Sequence, residues 1–329
     1  NIVSNSPVVT AFLLPGGPVA FLFPGQGSQA VGMGKDLYDN FESAKNVFDT
    51  ADKVLSKNIS TMCFEGPEDS LKQTINTQPS IVTMSIAAME ALKSELDITP
   101  SYTAGHSLGE YCAMYTSGVM SLENTLKAIQ KRADLMSATK GGSMAAVLNA
   151  SEEQLKAGLE EGSKVGYVDV ANYNSPVQVV ITGDSNAVKA TSDYLLANGV
   201  RRVVPLAVSG AFHSKYMENA GKEFASFVSE LALNDAKMPV ITNVDATETL
   251  KADDFKSKMP KQISSSVYWT QTIQKMVEEG VDTFVEIGPG KVLAGLNKKI
   301  APESTVYNVF DKASLDATVT ALKEQMANV

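Results

Sequence analysis

Short apolar runs alternate along the chain with longer segments in which apolar residues recur at helical spacing. The run VAFLF at 19–23 is apolar throughout, as in a strand buried on both faces of a parallel sheet, and it leads into a loop at 24–29. A helix is predicted from about Thr77, with Pro79 in its first turn. Another is predicted from Leu122, where apolar residues recur at alternating spacings of four and three. Such alternation of strand and helix is typical of α/β proteins.

The pattern changes character between residues 142 and 208. A helix there opens on a capping box, in which Ser151 and Gln154 satisfy each other's backbone amides. The order β-α-β-β-α-β predicted for this stretch is that of a ferredoxin-like unit. Its predicted elements are a strand at 144–148, that helix, a strand at 168–171, a loop at 172–176, a strand at 177–182, a helix at 185–197 and a strand at 201–206.

Strand and helix alternate again after the insertion, with strands predicted at 238–243 and 283–287. The predicted fold is therefore α/β: a large hydrolase-like α/β domain with a mainly parallel sheet, carrying an inserted ferredoxin-like subdomain. The cleft between the two is the default place for a ligand. The predicted divisions are 1–17 for a leader or vector-derived segment, 18–141 and 209–329 for the large domain, and 142–208 for the subdomain.

Composition and charge exclude several classes of function. With 28 basic and 37 acidic residues, the net charge of −9 argues against a nucleic-acid binder, which needs a broad basic face. A hydrophobic content of 44% describes an ordinary globular chain, and the apolar stretch near the start is too short to span a membrane. Two cysteines and two histidines are too few for a structural zinc site or a disulfide framework, so no metal is expected.

The segment GHSLG at 105–109 has the Gly-x-Ser-x-Gly pattern of a nucleophile elbow. A short predicted strand precedes it and a predicted helix follows, which is the context that this turn requires. Glycines flank the serine because the backbone there is strained and neighbouring chains approach closely. The hydroxyl of Ser107 would lie at a helix N-terminus, where the amide of Leu108 can face a developing oxyanion.

A serine nucleophile needs a base, and the chain offers only His106 and His213. His106 adjoins Ser107 in the strained turn, where a packing role is the better interpretation. His213 lies in the small-residue loop 209–214, and such loops carry function more often than core segments do. The sequence therefore favours His213 as the base.

Arg132 is one of only three arginines in the chain, which carries its other positive charges on lysine. It lies at the edge of the apolar stripe on its predicted helix. It could be a surface side chain paired with a carboxylate, or it could bind the carboxylate of a substrate in a desolvated cleft. The position alone slightly favours the surface pairing.

Six separate motifs, in order and at characteristic spacing, give the chain a family resemblance from residue 19 onward. It resembles the malonyl-CoA:acyl carrier protein transacylases of type II fatty acid synthesis, and it is also similar to the acyltransferase domains of polyketide synthases. The motifs are GQGSQ at 25–29, the elbow at 105–111, the helix with Arg132 and Met136, NYNSP at 172–176, GAFHS at 210–214 and EIGPG at 286–290.

The resemblance implies a role for each catalytic residue. Ser107 would attack the thioester, and His213 would take up and return its proton. The backbone amides of Gln26 and Leu108 would form the oxyanion hole. Gln262 matches the glutamine that orients the histidine in this family, where it would hold the tautomer without adding a charge.

The resemblance also implies the substrate contacts. Arg132 would bind the malonyl carboxylate with both of its terminal nitrogens, Met136 would line the acyl pocket, and Asn172 is placed among the substrate-binding residues. The chain departs from the family pattern at Lys215, where proline is common, and at Ser266 and Tyr268 in a motif that is commonly NPVRW. These departures put contacts near the mouth of the pocket in doubt.

The implied reaction is ping-pong transfer of a malonyl group from malonyl-CoA to the phosphopantetheine thiol of acyl carrier protein, both being substrates, without a cofactor. Monomeric action is expected, with no nucleic acid or membrane as a partner. The compartment would be the cytoplasm in a bacterium, or a plastid or mitochondrion in a eukaryote with a processed leader.

Carrier proteins of this pathway are acidic, so docking on this acidic chain needs a local basic patch. Its candidates are Arg201, Arg202, Lys298 and Lys299.

Two other functions stay open at this level. A serine hydrolase or thioesterase of the α/β-hydrolase kind shares the elbow, but its Ser-acid-His order needs an acid between Ser107 and His213, where the insertion lies. A non-catalytic scaffold that binds CoA or the carrier is the other alternative, and intact Ser107, His213 and Arg132 argue against it.

Overall fold

A computed structural model of the protein describes residues 17–327, so the segment predicted to be a leader lies outside the described residues, apart from Gly17. Two separate β-sheets organise the described chain, one of six strands and one of four. Among the helices of residues 17–327, none has both the length and the apolar character needed to cross a bilayer.

The elements divide into three groups along the chain. Before the small sheet they are β1 Val19–Phe23, α1 Lys35–Asn40, α2 Glu42–Leu55, α3 Ile59–Glu65, α4 Glu68–Leu71, α5 Thr74–Glu95, β2 Tyr102–Gly105, α6 Glu110–Thr116 and α7 Leu122–Ala138. Those of the small sheet and its helices are β3 Ser143–Leu148, α8 Glu152–Ser163, β4 Val168–Ser175, β5 Gln178–Gly183, α9 Ser185–Ala197 and β6 Arg202–Pro205. After them follow α10 Glu218–Ser229, β7 Val240–Ile241, β8 Glu248–Thr249, α11 Ala252–Ser264, α12 Trp269–Glu278, β9 Thr283–Ile287, α13 Val292–Ile300, β10 Thr305–Val309 and α14 Lys312–Ala327.

The large sheet has the strand order β10-β9-β1-β2-β7-β8, and all neighbours in it are parallel except the edge pair β7 and β8. Strand β1 lies in its interior and is buried at every residue. Because successive side chains point to opposite faces, Phe21 and Phe23 join one apolar core while Ala20 and Leu22 join another on the other face. The continuous apolar run thus reflects helices packed on both faces, as the sequence predicted.

The small sheet has the order β4-β5-β3-β6 with antiparallel neighbours. Together with α8 and α9, it forms the predicted ferredoxin-like subdomain, and the mixed α/β fold is confirmed. The capping box of Ser151 and Gln154 is also present. The chain enters and leaves this subdomain at adjoining segments, since the amide of Ala211 donates to the carbonyl of Gly141 over 3.2 Å.

Two predicted boundaries were wrong for identifiable reasons. Strand β4 continues to Ser175 through the segment predicted as a loop. The sequence did not show this because two register shifts against β5 interrupt the alternation of side chains that marks a strand. Helix α5 begins at Thr74, so that Pro79 falls in its second turn. The carbonyl of Ile75, which would otherwise accept from the amide that proline lacks, accepts from Lys57 Nζ and Gln130 Nε2, each over 3.1 Å.

Candidate active site

Close approach of backbone segments explains the glycines around Ser107. Strand β2 ends at Gly105, a 3-10 turn spans Ser107–Gly109, and Ser107 has a φ of 53°. A Cβ at Gly105 would lie 1.9 Å from the carbonyl oxygen of Gly109, and a Cβ at Gly109 would lie 2.3 Å from that of Phe23. The elbow can therefore form at the carboxyl end of the sheet only with glycine at both places.

We expect Gly105→Ala to prevent the elbow from forming, because the added Cβ meets backbone atoms that cannot rotate away. Gly295→Ala is the matched control, since a Cβ there meets nothing within 4 Å in helix α13 and should stabilise the fold by about 0.5–1 kcal/mol. Thermal unfolding of both variants checks this pair. Equal melting temperatures would contradict the close packing at residue 105.

Ser107 and His213 form a hydrogen-bonded pair. The Oγ atom of Ser107 lies 2.8 Å from Nε2 of His213. On the other side of the ring, Nδ1 lies 2.9 Å from the carbonyl oxygen of Gln262 and 3.0 Å from that of Ser265. Because carbonyl oxygens only accept, the proton of the neutral ring belongs on Nδ1, and Nε2 is left to accept from the hydroxyl. The arrangement can deprotonate the serine as it attacks.

The predicted glutamine orienter needs a correction in its chemistry. Gln262 contacts His213 through its main-chain carbonyl and not through its side chain. Its side-chain Nε2 instead donates to the carbonyl of Ser107 over 2.8 Å and to Oδ1 of Asn243 over 3.1 Å. The histidine is oriented by neutral groups, as the family resemblance implied, but any residue type could supply such a carbonyl.

Burial is the main cause, and the positive charge of Arg132 the second, that lowers the pKa of His213 to about 3. Burial also lowers the pKa of His106. The His213 ring therefore stays neutral at pH values where an ordinary histidine, with a pKa near 6.5, is charged.

We expect NMR of the His213 ring to show no titration between about pH 5 and pH 8, since charging a buried ring beside Arg132 is unfavourable. The unfolded chain does take up protons below about pH 6.5, so the free energy of unfolding should fall as the pH drops through that value. Arg132→Ala should raise the pKa of His213, though burial keeps it below the ordinary value. A normal titration curve for His213 in the wild type would contradict this.

Arg132 is only 1% exposed, and its guanidinium points toward the nucleophile. Its Nη1 donates to Oε1 of Gln78 over 2.7 Å and its Nη2 to Oγ of Ser107 over 3.2 Å. No ion pair with a carboxylate is found for Arg132 within residues 17–327, and its Nε has no hydrogen-bond partner. The reading of Arg132 as a surface side chain paired with a carboxylate is wrong. A buried cation of this kind is suited to an anionic ligand.

A cavity of about 310 Å³ opens in front of Ser107, between the large domain and the subdomain. Much of its lining is apolar, with convergent polar groups around the serine. Of the residues predicted from the family resemblance, Gln26, Leu108, Met136 and Asn172 all line it together with Ser107, His213 and Arg132.

His106 has the packing role that its position suggested, although it also borders the cavity. Its Nε2 lies 2.7 Å from Oδ1 of Asn174, and its ring packs against Trp269 with centroids 5.4 Å apart. A Cβ at Gly25 would lie 2.6 Å from its carbonyl oxygen. His106 therefore joins the elbow to the subdomain and to the GQGSQ loop.

The sequence did not point to three residues that lie at the site or support it. Asn243 holds the backbone of the elbow, Gln78 holds Arg132, and Lys72 lines the cavity. Asn243 and Gln78 are 136 and 54 residues from the partners that they position. Their one sequence signal is polarity inside otherwise apolar segments.

The three departures from the family pattern all contact one stretch of the subdomain. The ammonium of Lys215 lies 5.2 Å over the ring of Tyr167. Ser266 Oγ donates to the carbonyl of Val170 over 2.6 Å, and the ring of Tyr268 stacks on Tyr173 at 5.3 Å. They thus form the seam between the domains. None of the three is among the residues that line the cavity.

The four basic residues predicted for carrier docking lie in two separate places. Lys298 and Lys299 end helix α13, which runs from the carboxyl end of β9 back to its amino end, where Thr305 bonds to Asp282. They therefore lie toward the end of the sheet opposite to Ser107, and neither is among the residues that line the cavity. Arg201 and Arg202 are exposed at the start of β6, and the chain after that strand reaches the cavity at 206–208.

Comparison with known proteins decides the family. A sequence profile described as the acyl transferase domain matches residues 20–317. The chain belongs to this acyltransferase family. It is 41% identical over 314 residues to the malonyl CoA-acyl carrier protein transacylase of Bacillus subtilis, covering 94% of this chain and 99% of that protein.

Solved structures support the same assignment of this acyltransferase. The malonyl CoA-acyl carrier protein transacylase of Clostridium perfringens matches with a TM-score of 0.90 and 37% identity, covering 94% of this chain and 98% of that one. A malonyl-transacylase solved in complex with its type II PKS acyl-carrier protein matches with a TM-score of 0.89 and 33% identity, covering 92% and 99%. The hydrolase and scaffold alternatives gain no support, and carbonyls occupy the place of the acid that a hydrolase triad needs.

Proposed function

We propose that this acyltransferase moves a malonyl group from malonyl-CoA to the phosphopantetheine thiol of acyl carrier protein, through an ester on Ser107, in fatty acid synthesis. The observation that carries the proposal is the buried guanidinium of Arg132, which lies 3.2 Å from the nucleophilic oxygen and forms no ion pair with a carboxylate of the described chain. The names of its relatives in Bacillus subtilis and Clostridium perfringens support the same reaction.

In the first half-reaction the Oγ of Ser107 attacks the thioester carbonyl carbon of malonyl-CoA and gives its proton to Nε2 of His213. The oxygen that becomes negative is stabilised by the amides of Gln26 and Leu108, which both border the cavity. Collapse of the tetrahedral intermediate breaks the carbon–sulfur bond. The leaving CoA sulfur takes the proton from His213, and the malonyl group remains on Ser107 as an ester.

In the second half-reaction the thiol of the carrier's phosphopantetheine gives its proton to His213 and attacks the malonyl ester. Ser107 recovers the proton as its oxygen leaves, and the product is malonyl-carrier protein. The exchange of one thioester for another is nearly thermoneutral, so exclusion of water decides whether transfer or hydrolysis occurs. The narrow, largely apolar cavity between the domains serves that end. These steps use only groups of this chain and its two substrates.

Docking of an acidic carrier on a chain of net charge −9 needs cations close to the cavity. Lys72 borders the cavity, so we infer that docking uses this side. Arg201 and Arg202, at the other end of β6 from the lining residues 206–208, stay candidates for a wider contact. The site is complete within one chain, which supports action as a monomer. The named relatives are bacterial, which supports a bacterial cytoplasm as the compartment.

Mass spectrometry of the protein after incubation with malonyl-CoA tests the proposal. We expect one malonyl adduct on the peptide that contains Ser107, and its loss when phosphopantetheinylated carrier protein is added, with malonyl-carrier protein as the product. The carrier without its phosphopantetheine is the control and should leave the adduct in place. Absence of an adduct, or release of free malonate in place of transfer, would overturn the proposal.

A further inference from the structure

Asn243 lies two residues after the short strand β7, is not among the residues that line the cavity, and is completely buried. Its Oδ1 accepts from the amide of Ser107 over 2.9 Å, and its Nδ2 donates to the carbonyl of Gly105 over 2.8 Å. Its own amide donates to Oε1 of Glu110 over 2.6 Å. One side chain thereby bonds to the backbone on both sides of His106, in the turn that presents the nucleophile.

The Asn243 side chain also contacts Gln262, the residue whose carbonyl orients His213. Oδ1 of Asn243 accepts a second hydrogen bond, from Nε2 of Gln262, over 3.1 Å. That Nε2 also donates to the carbonyl of Ser107, so the amide of Ser107 is bonded to Asn243 and its carbonyl to Gln262. The main-chain carbonyl of Gln262 in turn accepts from His213. A closed ring of hydrogen bonds therefore connects the backbone of the nucleophile to the residue that orients the base.

The geometry of Ser107 makes such a ring necessary. Its φ of 53° is a left-handed conformation that costs a non-glycine residue of the order of 1–3 kcal/mol, and it persists only where the surroundings hold it. Asn243 satisfies the amide of this residue in the interior, where an unpaired amide would favour a different turn. Its amide group is suited to the task, because it offers an acceptor to Ser107 and Gln262 and a donor to Gly105.

We propose that Asn243 is a positioning residue that fixes the distance between Ser107 Oγ and His213 Nε2, without touching either substrate. The inference rests on the proposed function, since it concerns the speed of the acylation step. Movement of the reacting atoms by about 1 Å costs about 10²-fold in rate. We therefore expect Asn243→Ala to slow formation of the malonyl ester by about 10²-fold, while the dissociation constant for malonyl-CoA, set by Arg132 and the cavity, is unchanged.

The experiment measures single-turnover acylation and malonyl-CoA binding in wild type, Asn243→Ala and Asn243→Asp, with rates taken per folded molecule. The ionised aspartate keeps an oxygen that accepts from Ser107 and Gln262 but cannot donate to Gly105, so its rate should lie between the other two. Thr242→Val is the matched control. Thr242 is the buried neighbour of Asn243, but its side chain bonds only to Asp245, Thr247, Thr249 and Lys258, away from the elbow.

Thr242→Val should lower the melting temperature without changing the acylation rate per folded molecule. A similar loss of rate in Thr242→Val, an unchanged rate in the Asn243 variants, or a weakening of malonyl-CoA binding that matches the loss of rate would overturn the positioning role. If Asn243→Ala does not fold, the positioning role is tested with Asn243→Asp alone, by comparing its acylation rate and malonyl-CoA binding with those of wild type and Thr242→Val. The wild type separates this inference from the proposed function, because failure of the latter would leave the wild type without any adduct.

Discussion

Replacing Ser107 with alanine is expected to abolish the malonyl adduct and to lower kcat/KM for transfer by on the order of 10⁶-fold, a loss typical for removal of the nucleophile in covalent catalysis. The reason is chemical, because without Oγ there is no group in the described cavity that His213 can activate against the thioester. Binding of malonyl-CoA should be largely retained, since Arg132 keeps its bond to Gln78.

Two measurements check this result: adduct formation by mass spectrometry and malonyl-CoA binding by calorimetry. Ser214→Ala is the matched control, because that serine neighbours the base but bonds to the carbonyl of Ala211 and the amide of Tyr216, away from the cavity. It should keep the adduct. An adduct that survives in Ser107→Ala would place the nucleophile elsewhere.

The parts of the fold that the sequence predicts are those with local signals. The apolar run at 19–23, the capping box of Ser151 and the order of elements in the subdomain each follow from a few neighbouring residues, and each is present in the structure. The predicted boundaries fail where a distant contact replaces a local rule. Pro79 is tolerated in the second turn of α5 only because Lys57 and Gln130 bond to the carbonyl that the proline leaves free.

The candidate site also has a part that the sequence predicts and a part that it does not. The elbow is visible in the sequence because its glycines are required by contacts within five residues and with the neighbouring strand β1. The support around it is not, because Asn243, Gln78 and the carbonyl of Gln262 act on partners far away in the chain. Every residue type has a main-chain carbonyl, so no sequence motif can identify the one that accepts from His213. Family resemblance identified the position of Gln262 but not the atom that acts.

The sequence did not show whether Arg132 is exposed or buried. Its burial beside Ser107 is the reason that we expect a large effect on activity when it is replaced. We expect Arg132→Ala to lower kcat/KM for malonyl-CoA by about 10²- to 10⁴-fold, because two charge-assisted hydrogen bonds of about 1.5–3 kcal/mol each are lost. Transfer of an acetyl group, which has no carboxylate, should persist or increase. Steady-state kinetics with malonyl-CoA and acetyl-CoA, on wild type and variant, measure the change in preference.

Loss of selectivity must be separated from loss of structure, and the environment of Arg132 allows this. A buried cation that forms no ion pair carries a desolvation cost that alanine removes, which offsets the lost bond to Gln78, so the melting temperature should change little. Arg132→Lys is the control for charge, because a lysine keeps the charge but cannot offer the planar pair of donors, and it should regain only part of the malonyl preference. Equal loss of malonyl and acetyl transfer, with a lowered melting temperature, would make Arg132 a structural residue. A selective loss at an unchanged melting temperature would instead identify its guanidinium as the group that binds the substrate carboxylate beside Ser107.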